Sequence, residues 1–135
     1  MADFLPYAPR YTNDQIKQAN RSAVSMIPDH PKGFKSSNFP WKLSDTSPWD
    51  MDLTILDRRT EVFRQDEIHT IQRTIAKDKF FSMVANPEAV ISSPKPEIIR
   101  VNGIDLIYNG HHRLATLWIY GEMSVDCIFL EAEGN

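Results

Sequence analysis

Residues 97–131 read EIIRVNGIDLIYNGHHRLATLWIYGEMSVDCIFLE. Asn102-Gly103 stands between two apolar runs, the signature of a two-residue hairpin turn that needs positive φ at both central positions. Ile99 and Val101 on one side, and Ile104, Leu106 and Tyr108 on the other, alternate as a half-buried hairpin does. Asn109-Gly110 breaks the second strand. HHRLATLWIY then reads as a helix with Leu114, Leu117 and Trp118 facing inward, capped at its end by Gly121. SVDCIFLE closes as a last strand, in which Cys127 is a small buried hydrophobe.

Working upstream, MDLTILD (51–57) is a short apolar run that predicts a strand. RQDEIHTIQRTIAKDKFFSMVAN (64–86) predicts a helix, or two joined near Lys77, with Ile68, Ile71 and Ile75 as the inner stripe. Asn86-Pro87 stops it, and PEAVISSPKP is expected as loop. Near the start, TNDQIKQANRSAVSMIP predicts a helix. Thr12 and Gln15 fit a capping box, Ile16, Ala19, Ala23 and Ile27 recur at helical spacing, and Pro28 ends it. Residues 1–50 hold six of the nine prolines, so the segment after this helix is expected as an extended arm. Phe34, Phe39, Trp41 and Trp49 would be costly to leave in water, which predicts that the arm lies on the core; stacking on bases is the lesser alternative for Trp41 and Trp49. The whole is an α+β chain: residues 1–50 as helix and arm, residues 51–135 as the compact unit.

Composition narrows the function classes. The chain has 135 residues and a net charge of -3. It lacks the broad basic face of a dedicated duplex-DNA binder. No apolar run is long enough for a membrane span, and the first residues lack the pattern of a signal peptide. One cysteine cannot form an internal disulfide, so a reduced, cytoplasmic setting is expected. Residues 101–135 contain one arginine and five acidic residues. That arginine is Arg113, inside the NGHHR turn.

A strand that ends in Asn-Gly and opens straight into a helix suits an anion. The first helical N–H groups have no partner within the helix, and the helix dipole adds partial positive charge there. Gly110 lets a ligand approach the backbone. Arg113, one turn in, can reach back and hold an oxyanion with both arms of its fork. His111 and His112 add donors or proton carriers. The pattern therefore points to a phosphate seat. The plainer reading is a helix start whose arginine pairs with Asp105 or Glu122. As a metal site the pattern is weak, because adjacent helical histidines point about 100° apart; one histidine with Asp105 or Asp57 is the arrangement left open.

The same stretch resembles the ParB/sulfiredoxin-like superfamily. Domains of that kind show a strand pair ending in D/N-G-H-H/R-R, a helix with L-A, a glycine and a closing strand. Gly110, His112, Arg113, Ala115 and Gly121 fall on that pattern. LTILDRRTEVFRQDEIHTIQRTI is similar to the family's first strand, arginine-bearing loop and following helix, with Arg59 at the loop arginine. The resemblance covers residues 51–131 and leaves residues 1–50 outside. It implies a small α+β domain with a mixed or antiparallel sheet and flanking helices that holds phosphates. Sulfiredoxins carry a cysteine in this turn; His111 stands there instead, which excludes that chemistry. The segment KDKFFSMVANPEAVISSPKPEII replaces the family's usual short link between helix and strand, which puts its base pocket in question. Short versions of the domain are often encoded by bacteriophages.

The expected function is phosphate handling by a ParB-like nuclease acting on nucleic-acid phosphodiesters. The alternative is a nucleotide-binding or host-protein-binding accessory protein without chemistry. His111, His112 and Glu61 are the candidate catalytic residues. Asn109, Gly110, His112, Arg113 and Arg59 are the candidate phosphate ligands. Magnesium, manganese or a nucleoside triphosphate is the candidate cofactor, and nucleic acid, nucleotide or a host protein the candidate partner, with no membrane.

Overall fold

The computed structural model describes residues 11–25 and 33–134. The chain enters through α1 (Asn13–Ser25). Its start is the expected capping box: the Thr12 amide donates to Gln15 Oε1 at 2.8 Å, and the Gln15 amide donates to Thr12 Oγ1 at 3.1 Å. Ala19 and Ala23 are buried on its inner face. Ile27, Pro28 and His30 lie outside the described residues. The arm supplies β1 (Phe34–Lys35) and β2 (Lys42–Leu43), with a short 3-10 turn over Pro48–Asp50. There follow β3 (Leu53–Arg64), β4 (His69–Thr70), β5 (Thr74–Ile75), α2 (Lys77–Ala85), α3 (Pro87–Ser92), β6 (Glu97–Val101), β7 (Ile104–Asn109), α4 (His111–Ile119) and β8 (Ser124–Gly134).

Six of these strands form one mixed sheet in the order β2-β4-β7-β6-β8-β3, and β1 pairs with β5 in a separate ribbon. The β3–β8 and β6–β7 pairs are antiparallel, whereas β6–β8, β4–β7 and β2–β4 are parallel. The hairpin turns where the sequence places it, with φ of 53° at Asn102 and 76° at Gly103. It is buried on both faces rather than one. Ile98 and Ile107 face the main core with the helices, while Ile99, Val101 and Leu106 form a second cluster with Met51, Leu53 and Ile71 packed near them. No helix among the described residues is long and apolar enough to cross a membrane.

The expected helix over 64–86 is a correction. Only Lys77–Ala85 is helical; the first half is a 3-10 turn over Gln65–Glu67 followed by β4 and β5. Ile68 and Ile75 enter the main core, but Ile71 packs on the second cluster. The three isoleucines therefore never shared one face, and the β-branched Thr70-Ile71 and Thr74-Ile75 pairs favour extended backbone. Strand β3 also runs on to Arg64, so residues 57–61 are strand and not a loop. Within PEAVISSPKP, the first six residues form α3, with Pro87 in its first turn where a missing N–H costs nothing.

The arm does lie on the core. Phe34, Phe39 and Trp41 are buried, and Phe39 stacks on Trp41 with centroids 5.0 Å apart. Trp49 is the exception, 54% exposed. The fixing point of the arm is Gln65, whose side chain is fully buried. Its Oε1 accepts from the Trp41 indole N–H at 2.9 Å, and its Nε2 donates to the carbonyls of Leu114 at 2.9 Å and Glu122 at 3.0 Å. Gln65→Leu keeps the volume but leaves the indole N–H and the Glu122 carbonyl without partners. Each such buried group costs roughly 1–3 kcal/mol, so urea denaturation of this variant is expected to show a loss of about 3 kcal/mol; a loss under about 1 kcal/mol would show that the amide does not hold the arm.

Candidate functional site at the start of the fourth helix

Gly110 is left-handed, with φ 102° and ψ 24°, and ends β7 so that α4 begins at once. A Cβ there would stand 2.9 Å from Pro96 Cα and 3.0 Å from Arg113 Nη2. Glycine is thus required both by conformation and by the close approach of the guanidinium. The Leu114 amide makes the helix's opening bond to the Gly110 carbonyl at 2.9 Å. The amides of His111, His112 and Arg113 precede it, and no side chain at the N-cap covers them. At the other end, the Gly121 amide donates to the Trp118 carbonyl and the Glu122 amide to the Leu117 carbonyl, both at 2.8 Å, which is the closing pattern expected of a C-terminal glycine.

The two histidines differ. His111 is 7% exposed. Its Nε2 lies 2.7 Å from Thr70 Oγ1, and its ring meets Trp41 edge-on at 5.6 Å. Burial first, and then the neighbouring His112, lower its pKa from 6.5 to about 4. His112 is half-buried, and its Nε2 accepts from the Ala76 amide at 3.2 Å. Its pKa is also lowered, by burial first and by Lys79 next. With Nε2 acting as acceptor, the proton of the neutral ring sits on Nδ1, which is the remaining donor.

Arg113 behaves unlike the other arginines. Arg100 is forked onto Asp105 at 2.7 and 3.1 Å. Arg64 holds Asp66, Arg73 holds Asp45, Arg58 faces Glu97 and Arg21 donates to Gln18. Arg113 has no such partner among the described residues, and its Nε is buried without a hydrogen bond. Asp105 is committed to Arg100, and Glu122 accepts from Tyr11. The pairing with Asp105 or Glu122 that a plain helix start would show is therefore not formed. Burial pulls the guanidinium pKa below its ordinary value, and Glu97 acts in the opposite direction.

This turn forms one wall of a cavity of about 530 Å³. Lys79 and Met83 come from α2, Ser93 follows α3, and Trp49 and Tyr108 stand at its side. A second cavity of about 270 Å³ shares Arg113 and Ser93 with the first. The structure thus gathers Asn109, Gly110, His111, His112 and Arg113 at one opening. The segment over 77–99 walls the cavity rather than filling it. Nothing in the sequence marks Lys79 or Ser93 as site residues, and Trp49 is marked only by the lesser, base-stacking alternative. All three reach the cavity from distant points of the chain.

Arg59 and Glu61 are placed elsewhere. They sit on β3, at the sheet edge, and line neither cavity. Arg59 pairs with Asp57, with Glu61 at 3.2 Å and with Glu131 at 3.6 Å, and its guanidinium lies 4.6 Å from the centre of the Phe129 ring. Among the described residues, no three His, Cys, Asp or Glu side chains converge as a metal-ligand set. Cys127 is fully buried, and burial pushes its thiol up to about 12, in keeping with an inert core residue. Comparison with family models, with curated proteins and with solved structures finds no match to this chain.

The buried, neutral His111 sets a pH dependence. Its folded pKa lies below the unfolded value, so between about 6.5 and about 4 the unfolded chain binds more protons. Stability is then full above that window and falls as the pH drops through it. The shift corresponds to roughly 3 kcal/mol. Urea denaturation at pH 7.5, 5.5 and 4.5 is expected to show wild type losing more stability with acid than His111→Gln. Parallel losses in the two proteins would contradict a neutral buried ring.

Proposed function

We propose that this chain is a phosphate-handling domain of the ParB/sulfiredoxin-like type that cleaves nucleic-acid phosphodiesters. The observation that carries the reading is the Arg113 guanidinium, without an ion-pair partner among the described residues, close over Gly110 and bordering an open cavity. The α+β architecture with a mixed sheet is compatible with that fold type.

In the proposed mechanism, the phosphoryl oxygens take hydrogen bonds from the first-turn amides of α4 and from the Arg113 fork. These donors are fixed before the ligand arrives, so they favour charge that grows on the oxygens in the transition state. Through Nδ1–H, His112 donates to a phosphoryl oxygen. As water attacks phosphorus and the bond to the leaving oxygen breaks, Nε2 releases the Ala76 amide, takes the proton of the water and passes it to the leaving oxygen. His111, bonded to Thr70 and held neutral, orients the turn. Lys79 adds positive charge on the facing wall. A magnesium or manganese ion, the candidate cofactor, finds no protein-built ligand set among the described residues, so each step rests on this chain's own groups.

A second reading, a module that holds a nucleotide without cleaving it, is favoured by one observation. Both imidazoles are drawn toward the neutral form, and one nitrogen of each is already engaged. Labelled single- and double-stranded DNA, incubated with magnesium or manganese, separates the two. Cleavage by wild type that falls about 100- to 1,000-fold in Arg113→Ala, at unchanged thermal stability, supports the nuclease. A thermal shift with nucleoside triphosphates and no cleavage under either ion replaces it with the second reading.

A further inference from the structure

We propose that Trp49 and Tyr108 form a stacking step for an unpaired base, so that the cavity takes one nucleotide unit, its base on the indole and its phosphate at Arg113. This rests on the phosphate reading of the NGHHR turn and adds the ligand class.

Trp41 and Trp49 both belong to the arm, but they end differently. Trp41 is 4% exposed, and its indole N–H is used by Gln65. Trp49 is 54% exposed. It lies on Tyr108 with ring centroids 5.3 Å apart and planes 8° from parallel. A single exposed tryptophan needs no explanation. Here the tryptophan is fixed flat against a second ring, and both rings line the cavity that Arg113 and Lys79 line. Tyr108 packs on the second apolar cluster, on the sheet face away from the helices, and the cavity joins its ring to the Arg113 turn around the end of β7, where Asn109 and Gly110 follow.

The chemistry of the lining is mixed: two cations and a pair of parallel, stacked rings around about 530 Å³. Cavities of roughly 300–1,000 Å³ hold small organic ligands. An inorganic anion has no use for the rings, and an apolar ligand has none for the cations. A nucleotide unit uses both, because every base has a π-face and every unit a phosphate. A base paired within a duplex has no free face to present, so the ligand is a free nucleotide or a single strand.

Calorimetric titration of the full chain with pyrophosphate, thymidine triphosphate, an eight-residue oligothymidylate and its duplex tests this. Trp49→Leu is expected to weaken triphosphate and oligonucleotide about 5- to 150-fold, with Trp49→Phe recovering most of the loss. Pyrophosphate binding should be unchanged in both and lost in Arg113→Ala, and the duplex should bind more weakly than the single strand. Tighter binding of the oligonucleotide than of the triphosphate identifies the strand as source, and equal affinity identifies the free nucleotide. Undiminished base-containing ligands in Trp49→Leu, with pyrophosphate still lost in Arg113→Ala, overturn the stacking step and leave the phosphate seat standing. A wild-type protein that binds none of the probes overturns both.

Discussion

One buried amide joins the parts of this molecule that the backbone alone leaves separate. Gln65 follows the last residue of β3, yet its side chain reaches the arm through Trp41 and both ends of the α4 region through Leu114 and Glu122. Its own amide also donates to the Met123 carbonyl at 2.8 Å. An amide buried without partners would be strongly unfavourable, and a fully satisfied one fixes a unique arrangement. The sheet edge, the arm and the helix therefore cannot shift independently. The apolar contacts supply the bulk of the driving force, but they are non-directional. The register of arm against helix is set by these directed bonds.

The consequence for the site is a rigid frame around a free charge. The opening turn of α4 is tied by Thr70 of β4 at His111 and by Ala76, which precedes α2, at His112. Trp41, itself fixed by Gln65, closes on the His111 ring. The next residue, Arg113, has an Nε that is buried without an acceptor among the described residues. A half-buried guanidinium with no acceptor on its Nε opposes stability, while the arginines on the sheet surface all find acceptors. The chain has acidic residues to spare, five of them after residue 100, yet Asp105 is matched to Arg100, and among the described residues no carboxylate forms an ion pair with Arg113, on which Glu97 acts only through its charge.

What was legible in the sequence was local. The Asn102-Gly103 turn, the capping box at Thr12, the Gly110 break and the glycine after α4 are all fixed by backbone conformation within a few residues, and each is found. What was illegible depended on distant packing. Ile68, Ile71 and Ile75 mimic a helical stripe, and only the presence of two apolar layers, one on each face of the sheet, shows that they diverge. Likewise, Arg59 and Glu61 read as a loop facing the turn, but continued pairing of β3 with β8 as far as Arg64 keeps them on the strand among each other's charges. Of the site, the turn itself was readable; the wall carrying Lys79, Ser93 and Trp49 was not, since each arrives by a separate tertiary route.

The two histidines show how one motif divides its labour. They are adjacent, and a reading of the sequence treats them as interchangeable donors. Helical geometry sends them in different directions, so one goes under the arm and the other toward α2. The deeper ring is denied its charge at neutral pH and serves as a neutral hydrogen-bonding post. The shallower one keeps a ring nitrogen free at the cavity. Neutrality at both positions matters for the arginine beside them: two imidazolium ions next to Arg113 would repel it and one another, and the turn would need a counter-ion to form at all. With both rings neutral, positive charge at the turn is confined to the guanidinium and the helix amides, on residues that line the cavity.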